Sequence, residues 1–143
     1  MKPSPEQLTR LKAYYEAKLF GQVEINAVKH KVQDGRGVFV LLDARDRDSF
    51  LAGHIRGALS VPLDQAAEAV KILAADRQYV TYCWSHTRHL SARLALQLVE
   101  HGLFAREMNA GWGEWVADKM PTHSTATVTG YRCSCSDLGA GAA

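Results

Sequence analysis

Gln78-Tyr79-Val80-Thr81-Tyr82-Cys83 decides the fold of this chain. Its aromatic and β-branched side chains predict a buried strand over 78–82 that ends by delivering a cysteine. Downstream, Leu90, Leu94 and Leu98, with the alanines between them, form the buried side of a long helix predicted over about 87–101 and terminated by Gly102. Upstream, Val38-Phe39-Val40-Leu41-Leu42 is an unbroken apolar run, the pattern of a strand covered on both faces, with Asp43 at its carboxyl end. Such strands alternating with helices predict an α/β fold: an open parallel sheet of about five strands, helices on both faces, and right-handed crossovers.

Further out, Leu8, Leu11, Tyr15 and Leu19 follow Pro3 and Pro5 at spacings of three and four, an apolar stripe on an extra amino-terminal helix ending near Gly21. The stripe is expected to pack on its own domain, with a dimer contact as the alternative. Asn26 is read as the cap of a second helix through about Val32, closed by the turn Asp34-Gly35-Arg36-Gly37. A short helix over 47–51, a loop at Gly53-His54-Ile55-Arg56-Gly57 and a brief strand over 58–61, stopped by Pro62, come next. Asp64 is read as capping a helix that runs to about Ala75. A last strand over 106–108, a turn at Gly111-Trp112 and a helix bearing Trp115 and Val116 complete the domain before Pro121. From Ser124 the composition shifts to Ser, Thr, Gly and Ala, with nothing to bury, and a loosely held tail is expected. The chain thus divides into an extension over 1–21, one domain over 22–123 and a tail over 124–143.

With 143 residues, 47% apolar and 22% charged, the chain suits one soluble domain whose core needs no disulfide or structural metal. The formal net charge is +2 and the basic residues are scattered, so no nucleic-acid partner is expected. No stretch approaches the ~20 apolar residues of a membrane span, and Met1-Lys2-Pro3-Ser4-Pro5 leads into a charged segment rather than an apolar leader. The expected compartment is the cytoplasm. Cys83, Cys133 and Cys135 make no disulfide framework and are expected to be reduced.

In open α/β sheets ligands bind outside the carboxyl ends of the strands, where Cys83 is expected. Backbone N–H groups of the following loop and helix start favour an anion there, so Cys83 is expected to ionise more readily than a free cysteine. Arg88 adds a fixed positive charge whose planar fork suits an oxyanion such as a sulfonate, and Ser85 and Thr87 supply further donors. A buried cysteine at a strand end is commonly just a small core hydrophobe. The Cys-x4-Arg spacing at a strand-loop-helix junction favours a reactive one instead.

Three segments, in this order, resemble the rhodanese family. They are Leu41-Leu42-Asp43-Ala44-Arg45 followed by Phe50-x-x-Gly53-His54-Ile55-x-Gly57-Ala58, then Val80-Thr81-Tyr82-Cys83 with its loop, then Asn109-Ala110-Gly111-Trp112-x-x-Trp115 with Pro121. The resemblance runs over about 23–122. It implies a rhodanese-like fold and a sulfurtransferase without metal or cofactor. Cys83 would take a sulfane sulfur from a donor such as thiosulfate or a persulfide, become a persulfide itself, and pass the sulfur on. The implied acceptors are a small thiol, cyanide, or a thioredoxin-like or sulfur-carrier protein. Trp84, Ser85, His86, Thr87 and Arg88 are implied as the substrate-binding loop, with Arg88 orienting the donor, and Asp43 and Arg45 as support near the pocket. Many thiosulfate-using members carry a basic residue just after the cysteine and a glycine two further on. Trp84 and His86 stand there in this chain, which favours a larger or more apolar donor, and His86 with His89 can supply a charge that varies near neutral pH. Ala110 replaces a usual glycine.

Other readings stay open. Cysteine phosphatases and arsenate reductases share a Cys-loop-Arg cradle, but hold five residues between Cys and Arg where this chain holds four. The rhodanese fold also serves as a non-catalytic binding or regulatory module, although such modules usually lose the cysteine that this chain keeps. Cys133-Ser134-Cys135 is read as functionally silent rather than as a resolving thiol or a metal site, since two sulfurs with no third ligand hold a metal weakly. Trp112 and Trp115 are read as core or pocket wall, His54 as a structural hydrogen-bonding histidine, and His30, His101 and His123 as without a role. Monomer and homodimer are both admitted.

Overall fold

A computed structural model describes residues 1–85 and 89–124. In chain order the elements are α1 (Pro5–Gly21), β1 (Gln22–Val23), α2 (Ile25–Asp34), β2 (Phe39–Asp43), α3 (Arg47–Ala52), β3 (His54–Ile55), β4 (Leu59–Ser60), a 3₁₀ turn (Leu63–Gln65), α4 (Ala66–Ala69), β5 (Gln78–Tyr82), α5 (Leu90–Glu100), β6 (Phe104–Met108), α6 (Trp112–Ala117) and β7 (Thr122–His123).

The two apolar runs take the interior of the sheet because both of their faces can be buried there. Five strands pair in the order β1-β6-β5-β2-β4, every pair parallel, with β5 in the middle. Successive side chains on a strand point to opposite faces. Val40, Leu42, Tyr79 and Cys83 accordingly pack on one side against Ala66, Ala69, Leu94 and Leu98 of α4 and α5. Leu41, Val80 and Tyr82 pack on the other against Val28, Phe50 and Trp115 of α2, α3 and α6. The result is the expected α/β layering, with one core on each face. Each fully buried Leu or Phe in these cores contributes roughly 1.5–3 kcal/mol.

Several local expectations are corrected. Asn26 is not a cap: the cap position falls two residues earlier, at Glu24, which makes no side-chain cap bond, and the Ile25 N–H donates instead to Asn109 Oδ1 at 3.0 Å. A tertiary bond here replaces the local one. Asp64 lies in the 3₁₀ turn, and the helix expected to reach Ala75 stops at Ala69. Beyond it the bonding is mixed: Lys71 N–H donates to Glu68 O at 3.2 Å and Ile72 N–H to Ala69 O at 3.1 Å, each three residues back, while Leu73 N–H keeps the four-residue span to Ala69 O at 3.0 Å. Leu73, at the end of this irregular turn, is buried in the core. Helix α5 begins at Leu90 rather than near Thr87, because His89 has non-helical backbone angles (φ −105°, ψ 9°). Strand β4 is two residues long, and β6 starts two residues before its expected position. Strands β1, β3 and β7 are unforeseen, and β3 and β7 form a separate antiparallel pair.

Helix α1 starts at a capping box, in which the Gln7 N–H donates to Ser4 Oγ and the Ser4 N–H to Gln7 Oε1. It buries none of its residues, and Leu8, Leu11, Tyr15 and Leu19 are 54%, 51%, 54% and 77% exposed. The stripe therefore does not pack on its own domain. At the end of the helix, Phe20 meets Phe104 edge-on, with ring centres 6.1 Å apart. No helix among the described residues is long and apolar enough to cross a membrane.

Candidate functional site

Strand β5, central in the sheet, hands Cys83 to the carboxyl edge, where the side chain is 1% exposed. Its Sγ lies 3.7 Å from the Ser85 carbonyl and 3.5 Å from Ser91 Oγ at the start of α5. The loop after Cys83 is pinned from the opposite side of the edge. Trp112 N–H donates to the Cys83 carbonyl at 2.8 Å and Gly113 N–H to the Trp84 carbonyl at 2.9 Å. Gly111 makes this approach possible: a Cβ there would stand 2.6 Å from Cys83 O, 2.6 Å from Ser85 N and 2.7 Å from the Trp84 carbonyl carbon. These are all backbone atoms, which cannot swing aside, so the glycine is required by proximity and not by its φ.

A buried polar group braces the neighbouring strand end. Asp43 and Arg45, both at most 1% exposed, form a two-pronged ion pair, with Nη2 2.8 Å from Oδ2 and Nε 3.1 Å from Oδ1. The Arg45 N–H also donates to Oδ1 at 2.9 Å, and the Tyr82 hydroxyl to Oδ2 at 2.7 Å. Arg45 Nη2 reaches the Gly53 carbonyl at 2.6 Å, and the Ile55 N–H donates to the Tyr82 hydroxyl at 3.1 Å. Burial, and then the adjacent Asp43 charge, push the Tyr82 phenol well above its ordinary range, so it stays a donor. The guanidinium of Arg45 also lies over the rings of both Trp84 and Trp112, 4.7 Å from each centre. Trp84 is thereby fixed at the mouth of the site while remaining 36% exposed. A cleft of about 540 Å³ opens beside it, lined by Ala44, Asp46, Leu63, Asp64 and Leu90.

Cys83, Trp84, Ser85, Asp43 and Arg45 thus meet at one sheet edge. His86, Thr87 and Arg88, and the pair Cys133 and Cys135, lie outside the described residues. His54 stacks on Phe50 at 3.7 Å between ring centres, and its Nδ1 meets the Phe50 carbonyl at 2.7 Å. Burial lowers its pKa from 6.5. Trp115 is fully buried and donates from its indole to the Pro121 carbonyl at 2.9 Å, while Trp112 is part of the wall around Arg45.

Sequence reading missed Ser91 and Glu107. Ser91 Oγ lies 3.4 Å from Glu107 Oε2 on β6, and the Ser91 carbonyl accepts from Thr81 Oγ1 at 2.8 Å. One signal was available: Ser91 shares the buried face of α5 with Leu94, Ala95 and Leu98, a polar residue in an apolar stripe. Glu107 carries no comparable mark. Among the described residues no group of three or more His, Cys, Asp or Glu side chains is arranged to hold a metal ion.

Comparison with known proteins agrees with this fold. The chain is similar to the BH2092 protein of Bacillus halodurans, with TM-score 0.72 and 22% identity over 85% of this chain and 88% of that one. It is also similar to the rhodanese-like domain of the Anabaena Alr3790 protein, with TM-score 0.61 and 24% identity over 78% and 86%. A curated relative, the HTH-type transcriptional regulator Rv0324 of Mycobacterium tuberculosis, is 27% identical over 92 residues, and the match spans 64% of this chain and 41% of the regulator. The family model described as "Rhodanese-like domain" matches residues 24–118, the stretch from the start of α2 through α6 that carries Cys83, the Asp43–Arg45 pair and Gly111. With its parallel sheet and its cysteine at the carboxyl edge, the chain belongs to the rhodanese-like domain family.

Proposed function

We propose that this protein is a sulfurtransferase that carries a sulfane sulfur as a persulfide on Cys83. The observation that carries the reading is the seat of Sγ: buried at the carboxyl end of the middle strand, under a loop held by the Trp112 and Gly113 amides. A thiolate there displaces the leaving group from the outer sulfur of the donor. The persulfide that results needs the same shelter from backbone amides. Trp84 and Ser85 would line the donor's path, with His86, Thr87 and Arg88 completing the loop in sequence, and Asp43 and Arg45 would hold the frame. The working unit is residues 22–123, with 1–21 as an extension and 124–143 as a tail, acting in the cytoplasm.

The cleft beside Trp84 bears on the donor. Its apolar wall of Ala44, Leu63 and Leu90 and its carboxylates Asp46 and Asp64 suit an organic persulfide better than the thiosulfate dianion. The acceptor is a thiol, free or on a thioredoxin-like or sulfur-carrier protein, or cyanide.

Intact-mass measurement after incubation with organic persulfides and with thiosulfate tests the reading. The expected result is the gain of one sulfur atom by the wild type and none by Cys83→Ser. A second reading, a rhodanese-fold module that regulates rather than catalyses, is favoured by the similarity to a transcriptional regulator. It requires that Cys83 take up no sulfur from any donor and that Cys83→Ser leave the protein's binding behaviour unchanged.

A further inference from the structure

Any thiolate mechanism at Cys83 must dispose of the thiol proton, and the buried carboxylate at the sheet edge, Asp43, is unsuited to receive it. Asp43 already accepts from the Arg45 backbone N–H, Arg45 Nε and Nη2, and the Tyr82 hydroxyl. The α4/α5 face of the sheet offers another route. Cys83 Sγ reaches Ser91 Oγ at 3.5 Å, and the Ser91 hydroxyl reaches Glu107 Oε2 at 3.4 Å. Ser91 is 4% exposed and held in place through its carbonyl by Thr81, whereas Glu107 is only half-buried. Thr81 and Glu107 are register partners on the adjacent strands β5 and β6, so the sheet itself sets the spacing of the three groups.

We propose that Ser91 and Glu107 form a proton relay that converts the Cys83 thiol into the attacking thiolate. The Sγ–H bond breaks as its proton moves to Ser91 Oγ, and the proton already on Oγ moves to Glu107 Oε2. The net change is thiol plus carboxylate to thiolate plus carboxylic acid, with no oxidant or reductant involved. Ser91 touches the reacting sulfur. Glu107 acts through it, as a positioning residue that turns the hydroxyl and then releases its proton to solvent from its half-exposed site. The Ser91–Glu107 contact is long, as catalytic hydrogen bonds commonly are before a substrate closes the site.

This proposal deepens the sulfurtransferase reading and rests on it, so two rates are measured: sulfur loading from a donor, and alkylation of the Cys83 peptide by iodoacetamide at neutral pH, which needs the same removal of the thiol proton during attack without any sulfur chemistry. The variants are Ser91→Ala, Ser91→Thr, which keeps the hydroxyl, and Glu107→Gln, which keeps the length and a hydrogen bond. The relay predicts that at neutral pH Ser91→Ala and Glu107→Gln each slow both rates by about tenfold or more, with the half-saturating donor concentration unchanged and the deficit closing as the pH is raised and solvent ionises the thiol, and that Ser91→Thr recovers most of the rate. Wild-type alkylation in a folded Glu107→Gln protein overturns the relay, whatever becomes of Ser91→Ala, and leaves the sulfurtransferase reading standing. Slow alkylation in Glu107→Gln and Ser91→Ala beside a wild type that no donor loads keeps the relay and overturns sulfur transfer instead.

Discussion

At the carboxyl edge of the sheet a single side chain, Arg45, binds Asp43 and Gly53 and lies over Trp84 and Trp112, whereas the 17 residues of α1 bury no side chain at all. Near Cys83 the conformation is dictated by partners distant in sequence. In α1 it is dictated by neighbours in sequence, a capping box and intrahelical bonds. The first kind of region is stiff and intolerant of change, as a site that must hold a reactive sulfur requires. The second can accept substitution at little cost to the fold.

The contrast is broken most severely at Arg45. Arg45→Ala leaves the Asp43 carboxylate buried and uncompensated, and a loss of about 3–5 kcal/mol is expected in urea denaturation. Gly111→Ala comes next. Its Cβ would collide with the backbone of the Cys83 loop, which is expected to cost about 1–3 kcal/mol and to suppress sulfur loading far beyond what the stability loss explains.

His54 gives a smaller effect with a definite sign. Burial lowers its pKa in the folded protein, so as pH falls below 6.5 the unfolded chain takes up the proton first. The stabilising contribution is complete above that pH and is lost below it, by at most about 1.4 kcal/mol per pH unit. Denaturation curves across this window should show the decline in wild type and a shallower one in His54→Gln. The smallest effects belong to α1, where Leu8→Ala and Leu11→Ala should each change stability by about 0.5 kcal/mol or less in thermal melts at low protein concentration.

The same contrast explains what could be read from the sequence. Val38 to Leu42 and Gln78 to Tyr82 announce the two inner strands because both of their faces are apolar, although Val38 itself stays outside β2 and 75% exposed, and the stripe Leu90, Leu94, Leu98 announces α5. The parallel sheet with helices on both faces follows from these alone. Strands β1, β3 and β7 are two residues each, too short for any periodicity, and exist because Gln22 pairs with Glu107 and His54 with His123. The end of α4 at Ala69 is marked by no Gly or Pro between Ala66 and Ala75, so no local signal announces it. At the site, Cys83, Trp84, Asp43 and Arg45 fall within recognisable segments. Their mutual geometry, the shared guanidinium and the closeness of Gly111, is a property of the assembled edge. Ser91 and Glu107 lie 16 residues apart and meet only because α5 folds back over β6.

The central claim, that Cys83 carries the transferred sulfur, is tested most directly by peptide mapping after donor treatment. The predicted result is one added sulfur atom on the peptide containing Cys83, removed again when a thiol or cyanide is supplied, and absent from Cys83→Ser. Sulfur transfer that persists in folded Cys83→Ser protein, or a label found on Cys133 or Cys135 with Cys83 bare, would contradict it.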